Sequence, residues 1–394
     1  MLRTESELLE IIEGLREPFT ASAPTHDREA SFPAASFELL REQGMLALAA
    51  PIGLGGGGLW SGDRCLAYYR LLSALAAFDA NTSQLRQVHS HALGILSNAA
   101  TPAQRELYLE PIIRGGKVLA SVGSESAPST NSTGLYNQEL QLQDDGSWVL
   151  TCEKHFASVS AGADSLLIWL AVPGDAPYEM RTVCVVVPAD APEVELIDNW
   201  DVLGMRATVS WTVRVKNLRL PAEAIIGEPG YWVRDDPRTF SLGFASNHLG
   251  EAEGILEFCL DWVRARPHLQ NSDLMLYRFG DFGARLFGVR AAMEAAAREW
   301  ELGEDFDRAE LLSLHVLHLA KKAVLEISQV AFDICGARAI FKQYPLEQAY
   351  RDARSFTLHT RDDHLTCTVG KGLLYGDFSG KGYIDGATVP RVGK

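Results

Sequence analysis

The apolar residues of this 394-residue chain change period twice, and that double change is the strongest constraint on what it can fold into. From Leu2 to about Arg114 they recur at helical spacing, as in Leu8, Ile11, Ile12 and Leu15, then Phe37, Leu39, Leu40 and Leu46. From Val118 to about Gly230 the pattern becomes short β-rich runs, among them Trp148-Val149-Leu150-Thr151, Ser165 to Leu170, Thr182 to Val187 and Thr212-Val213-Arg214-Val215. Turns such as Asp144-Asp145-Gly146 part them. From Thr239 helical periodicity returns in long segments: Gly243 to Arg264, Leu274 to Gly303, Ala309 to Ile334 and a last one beginning near Leu346. Four long helices with short connections predict an antiparallel bundle. The expectation is therefore a mainly α protein with a central β domain, in three units. These are an N-terminal helical domain over 1–117, a middle antiparallel sheet or barrel over 118–232 and a C-terminal four-helix bundle over 233–394. No repeat or low-complexity linker separates them, so they should pack as one body.

Charge and cysteine usage exclude several classes. Lysine and arginine total 36 against 51 acidic residues, a net charge of -15, so a broad basic face for nucleic acid or anionic membrane is hard to assemble. Neither partner is expected. Cys65, Cys152, Cys184, Cys259, Cys335 and Cys367 stand singly, without a Cys-x-x-Cys pair, which argues against structural zinc and against a disulfide framework. His315 and His318 share a helix face, but no Glu-x-x-His pattern surrounds them, and no metal is expected. Glutamates interrupt the first twenty residues where a signal peptide needs an apolar run. The longest apolar segment, Leu166 to Pro173, is far short of the roughly 20 residues that span a bilayer. A soluble cytoplasmic protein is the expectation.

Several phrases then occur in a telling order. Pro51-Ile52-Gly53-Leu54-Gly55-Gly56-Gly57-Gly58 comes first, followed by Thr101 to Arg105 and Tyr108 to Gly116, then Ser124-Glu125 and Glu153-Lys154-His155-Phe156-Ala157-Ser158. Trp200-Asp201-Val202-Leu203-Gly204-Met205-Arg206-Ala207-Thr208-Val209-Ser210 and Tyr350-Arg351-Asp352-Ala353-Arg354-Ser355-Phe356-Thr357-Leu358-His359-Thr360 complete the series. Over nearly the whole length the chain resembles the acyl-CoA dehydrogenase superfamily. That resemblance implies helices, a β-barrel and a four-helix bundle in this order, with assembly as a homotetramer or homodimer. Dehydrogenases of the family carry a catalytic carboxylate in a Glu-Gly-Thr segment shortly after Arg-Asp-Ala-(Arg/Lys). Here that slot falls at or next to Thr360, which cannot serve as the base. Arg354 to His359 instead resembles the flavin monooxygenase branch, which includes dibenzothiophene monooxygenases and related hydroxylases.

By resemblance, reduced FMN or FAD arrives from a separate flavin reductase and reacts with oxygen to hydroxylate a small, largely apolar substrate. Ser124 and Arg266 would hold the flavin. Strand alternation points Phe156 and Ser158 to one face, and the family places matching residues beside the isoalloxazine. His359 would donate a hydrogen bond or take a proton, two roles that suit histidine. His89 or His91 would be a second acid or base. A two-residue spacing turns these two about 200° apart on a helix, so one should face inward and the other outward, and they cannot share a metal. Pro267-His268-Leu269-Gln270 follows Arg266 where the family has phenylalanine and glutamine, and Asp333 to Arg338 only faintly resembles its adenylate loop. Fewer contacts to an ADP half favour FMN or a loosely held flavin. Simpler expectations accompany these: Gly53 to Gly58 as a tight turn, and Arg351, Asp352 and Arg354 as helix-surface ion pairs. The tail Gly380 to Lys394 could cover a neighbour's site. Two other readings remain: an FAD-dependent acyl-CoA dehydrogenase with its base moved to Asp362, Asp363 or a distant helix, and a non-catalytic paralogue acting as a binding or assembly module.

Overall fold

The computed structural model describes residues 2–60, 64–125, 138–231 and 240–376. The boundary expected at 232/233 and the tail Gly380 to Lys394 lie outside the described residues. The N-terminal unit is helical: α1 (Glu5–Gly14), α2 (Arg16–Glu29), α3 (Ala34–Glu42), α4 (Cys65–Ala76), α5 (Ala80–Ala99) and α6 (Glu110–Gly115). Start signals in the sequence explain where two of these begin. Thr4 and Glu7 form a reciprocal capping box at α1, and the Asp79 carboxylate accepts from Thr82 N at 2.9 Å at α5. The glycine-rich stretch is a turn, as expected: Gly55 and Gly58 adopt φ of 93° and 66°, where side-chain-bearing residues are strained.

Among its described residues the middle unit holds eight strands: β1 (Leu119–Val122), β2 (Gln141–Leu142), β3 (Trp148–Ala157), β4 (Ser165–Ala171), β5 (Thr182–Pro188), β6 (Val194–Ile197), β7 (Trp211–Leu220) and β8 (Ile225–Ile226). They form two four-stranded sheets, ordered β1-β4-β5-β8 and β2-β3-β7-β6. Every pairing is antiparallel except β1 with β4. The apolar runs of β4 and β5 are buried almost end to end because both of their faces are covered, whereas β3 and β7 alternate between core and solvent. Register irregularities in the β3/β7 ladder, between Leu150 and Cys152 and between Lys154 and Ala157, bend β3 just before Phe156.

The C-terminal unit comprises α7 (Ser241–Arg264), α8 (Asp273–Leu302), α9 (Phe306–Cys335) and α10 (Leu346–Phe356), continued after a break by α11 (Asp362–Tyr375). At 30 residues each, α8 and α9 are about 45 Å long. One connected apolar core runs through all three units. The cysteines are all free thiols, five buried and Cys367 exposed. No helix among the described residues is long and apolar enough to cross a membrane. Among the same residues no group of three His, Cys, Asp or Glu side chains could hold a metal ion.

Two features of this frame bring distant side chains together. The first is α5, whose residues from Asn81 to Ser97 are buried on every side although many are polar. His89 and His91 are accordingly both buried, where the sequence led us to expect one facing outward. The second is a clamp between α10 and the loop before β7. The Arg351 guanidinium donates to both Asp27 carboxylate oxygens, at 2.9 and 2.7 Å, and to the Leu203 carbonyl. Buried Asp352 accepts from Met205 N and from Asn81 Nδ2 at 2.8 Å. Gly204 fits against this helix only because it lacks a side chain: a Cβ there would stand 2.2 Å from the Arg351 carbonyl oxygen. The Arg-Asp pair is thus an interior cross-link between units rather than a surface ion pair.

Candidate active site

The break between α10 and α11 carries the residue pattern that set this chain apart. Thr357–His359 makes one tight turn, Thr360 is extended, and the helix restarts at Asp362. Lys321, buried on α9, donates to the Thr360 carbonyl at 2.7 Å and lies 3.5 Å from the Asp362 carboxylate, so the turn is pinned from behind. Thr360 itself is buried and offers no carboxylate. Asp362 faces Lys321 and His318, each at 3.5 Å, and Asp363 is paired with Arg361 at 3.0 Å. Neither aspartate is left to stand in for the missing glutamate.

His359 presents one edge to solvent while protein surrounds it on its other sides, the arrangement of a side chain in a recess. That enclosure, reinforced by the Lys321 charge, pushes its pKa down to about 4, so the imidazole is neutral at pH 7. Its ring packs on Phe244 at 4.0 Å between centroids. From there an aromatic row continues across α7 and α5: Phe244 stacks on Phe240 at 5.5 Å, Phe240 on His91 at 3.7 Å, and His91 meets Trp60 edge-on at 5.3 Å. His359 and His91 therefore belong to one wall. Below Phe244, buried His248 packs on Phe356 at 4.5 Å, its Nδ1 has no hydrogen-bond partner among the described residues, and burial lowers its pKa to about 3.

The β domain faces this wall with a strained turn. Phe156, Val159, Met205 and Val209 all have positive φ, between 40° and 68°. For the β-branched valines such a conformation is held only by surrounding structure, and residues of this kind gather at functional sites. Positive φ at Phe156 breaks the simple alternation expected of the strand. Its ring is 69% exposed and stands perpendicular to Trp200 at 5.9 Å, while Ser158 is half-buried. A hydroxyl chain leads inward from Ser158 to Ser210 at 2.8 Å, on to Thr208 at 2.9 Å and to the Met205 carbonyl at 2.7 Å. The carbonyl can only accept, so each hydroxyl donates inward, and Gln84 donates into Ser158 at 3.2 Å. Ser158 turns its proton outward only if one bond of this chain is given up. Ser124 is half-buried, and its carbonyl accepts from His155 N at 2.8 Å beside Phe156. The neighbouring Glu125 forms a buried ion pair with Lys154 of β3, which fixes Ser124 against the strand.

Two residues singled out in the sequence are placed elsewhere. Leu119 N donates to His89 Nδ1 at 3.0 Å, which leaves Nε2 protonated and bonded to the Leu46 carbonyl at 2.9 Å. Burial also lowers the His89 pKa to about 4. With both ring nitrogens bonded to backbone, His89 cross-links α5 to the Leu46 carbonyl and to the start of β1. Arg266 stacks over Trp262 at 3.6 Å and donates to the Trp262 carbonyl at 2.7 Å. It lies beyond the end of α7, about 25 Å along the axis from His248.

The residues that sequence reasoning missed are Gln84, Phe240, Phe244, His248 and Lys321. Gln84, Gln87 and His91 recur at helical spacing, and this polar stripe on a buried helix was the available signal. Gln87 donates to the Phe240 carbonyl at 3.3 Å, and Gly243 leaves it room, since a Cβ there would come within 2.5 Å of the Gln87 amide.

The residues present suit a flavin. An exposed aromatic ring beside a strained turn offers a face for a planar heterocycle, and Ser158 and Ser124 offer small polar groups along its edge. Comparisons with known proteins agree with the geometry. Residues 10–116 match the acyl-CoA dehydrogenase N-terminal domain family and residues 242–363 the acyl-CoA dehydrogenase C-terminal domain family, together more than half of the chain. A dibenzothiophene monooxygenase of Rhodococcus erythropolis is 26% identical, over 96% of both chains. TdsC from Paenibacillus sp. A11-2, solved with FMN and indole, superposes with a TM-score of 0.83 at 24% identity, over 94% of this chain and 97% of that one. Butyryl-CoA dehydrogenase from Megasphaera elsdenii does so with a TM-score of 0.83 at 19% identity, over 94% and 98%. Period, topology, clamp and helix break thus converge with the sequence matches on one conclusion: the chain belongs to the acyl-CoA dehydrogenase superfamily, on its flavin monooxygenase branch.

Proposed function

We propose that this protein is a flavin-dependent monooxygenase that takes reduced FMN or FAD from a separate reductase and, with O2, oxygenates a small apolar or aromatic substrate. The observation that carries the reading is His359: a neutral imidazole faces the recess where dehydrogenases of this family place a carboxylate. Reduced flavin, when bound, supplies the electrons that activate oxygen. Phe156 gives its ring a flat apolar contact, and Ser158 and Ser124 bond its polar edge. His359 takes or returns a proton at the reacting atoms, because its imidazole is neutral at pH 7. Phe240, Phe244, His91 and Trp60 form the wall that holds an aromatic substrate and keeps water away from the reacting oxygen. Indole bound to TdsC and the name of the Rhodococcus relative support a heteroaromatic substrate. The commitment of Asp362 and Asp363 to cationic partners weighs against a dehydrogenase that uses either of them as its base.

Homo-oligomeric assembly is part of the same proposal. Tyr277 and Phe287 on α8 and Leu373, Leu374 and Tyr375 on α11 are large apolar side chains left exposed on one chain, and such surfaces mark protein contacts.

The test is to supply photoreduced FMN, 18O2 and either dibenzothiophene or indole, and to follow the product by mass spectrometry. Incorporation of one labelled oxygen into the product is expected. Flavin reoxidation that yields only hydrogen peroxide with both substrates and with a panel of organosulfur and aromatic compounds would remove the proposal. So would tightly bound oxidised FAD together with desaturation of acyl-CoA.

A further inference from the structure

A second cavity opens along the same face of α7, two turns beyond Phe244. Its volume is about 400 Å³, and it lies between α7, α2, the turn joining α4 to α5 and the start of α10. Ser158, His91, Phe244 and His359 take no part in its walls. Glu251 does. This residue is 4% exposed, and neither of its carboxyl oxygens has a hydrogen-bond partner among the described residues. Buried polar groups are ordinarily paired, so a carboxyl bare on both oxygens and bordering a cavity calls for a donor.

The surrounding chemistry narrows what that donor is. Asp352 of α10 borders the same space, as does Asp79 at the start of α5, and Glu257 and Asp261 continue the acidic lining along α7. Arg16 of α2 is the basic side chain among the lining residues. Its guanidinium is taken by Glu13 at 2.7 Å and Glu257 at 3.2 Å and lies 5.0 Å over Phe78, so it does not serve Glu251. One turn back on α7, His248 is held neutral by burial. Phe78, Ile255 and Phe258 line the same cavity. Acidic groups among apolar and aromatic walls suit a molecule with a cationic head and an apolar body.

We propose that this cavity binds a small organic cation, a protonated amine on an aromatic or short aliphatic body, whose N–H groups bond Glu251 and Asp352. An ammonium brings three donors and no acceptor, which matches two carboxyl residues lining one cavity. Burial, and then the Asp352 charge, raise the Glu251 pKa well above the usual carboxylate range, and burial lifts Asp352 to about 6. Of the two carboxyls Glu251 is therefore the one that holds its proton when the site is free, and pairing with the amine releases it. Binding that expels one proton strengthens about tenfold for each pH unit.

Isothermal titration of the full chain with benzylammonium chloride, in two buffers of different ionisation heat, reads both quantities. Saturable binding with close to one proton released at pH 7, and affinity rising about tenfold from about pH 6.5 to about pH 7.5, is the expected result. Benzyl alcohol, the neutral control, should not bind, and E251Q should lose the proton release and at least about tenfold in affinity. The wild-type proton count stands without the variant, should E251Q fold poorly. The proposal is overturned by equal binding of benzyl alcohol, by unchanged binding to E251Q, by binding without proton release, or by no saturable heat at millimolar benzylammonium or butylammonium. Because the titration involves neither flavin nor turnover, its outcome is independent of the monooxygenase reading.

Discussion

The role proposed for His359 rests on its place more than on its type. Enclosure keeps the imidazole uncharged down to about pH 4, so the oxygenation rate should stay level from about pH 8 to about pH 5 and fall only as the pH nears 4. A histidine with an ordinary pKa would lose activity from about pH 6.5 downward, and a pH profile at saturating reduced flavin distinguishes the two. His359→Gln should lower turnover by roughly 10²–10⁴-fold while leaving flavin affinity within about twofold, as read by stopped-flow and by fluorescence titration. Arg86 makes the opposite kind of claim. It is among the largest fully buried side chains, none of its guanidinium nitrogens is hydrogen-bonded among the described residues, and burial lowers its pKa. Arg86→Met should accordingly stabilise the fold by about 1–4 kcal/mol in urea denaturation; a loss of stability would mean that the guanidinium has an anionic partner. The two histidines of α5 show where residue-level reading stops. In sequence His89 and His91 are equivalent, and what separates them is the Leu46 carbonyl and the Leu119 amide, brought to His89 from distant segments.

Among the elements, α5 and α10 organise the site. The long helices were legible from their apolar period and caps, and the middle unit from its β-rich runs. The division into two sheets was not, because β1 pairs with β4 across more than forty residues and no local signal encodes a partner that distant. Strand alternation placed Phe156 and Ser158 together, but the irregular β3/β7 register and positive φ at Phe156 decided how each is presented. The Arg-Asp of α10 read as surface ion pairs because spacing cannot reveal that the loop around Gly204 lies on top of it. Arg351→Met strips Asp27 of a two-point partner in a largely buried setting. It should cost about 2 kcal/mol of stability, measurable as an earlier urea midpoint with flavin still bound at saturating concentration. A midpoint shift near zero would show that the clamp is maintained by Asp352 alone.

At the level of the whole molecule, three units share one core, and most of the large apolar residues left exposed lie in the C-terminal unit. A single chain has a mass of 43.2 kDa, and light scattering after gel filtration should report two or four times that mass. Charge substitutions at Phe287 and Leu374 should shift the population toward the single chain while the far-ultraviolet dichroism stays unchanged. The order of the units and the family were visible in the sequence because they depend on period and on phrases strung along the chain. The candidate site was visible only in part, since its walls come from α5, α7, the strained β turn and the α10–α11 break, which are adjacent only after folding.

That break has one more implication. Lys321 grips it through the main-chain oxygen of Thr360, an atom every residue possesses. Its contour is consequently indifferent to which side chains it displays, and evolution can rewrite the lettering without recasting the type. A turn held in this way can change the group it presents by exchange of a residue or two, while the packed helices on either side remain as they were.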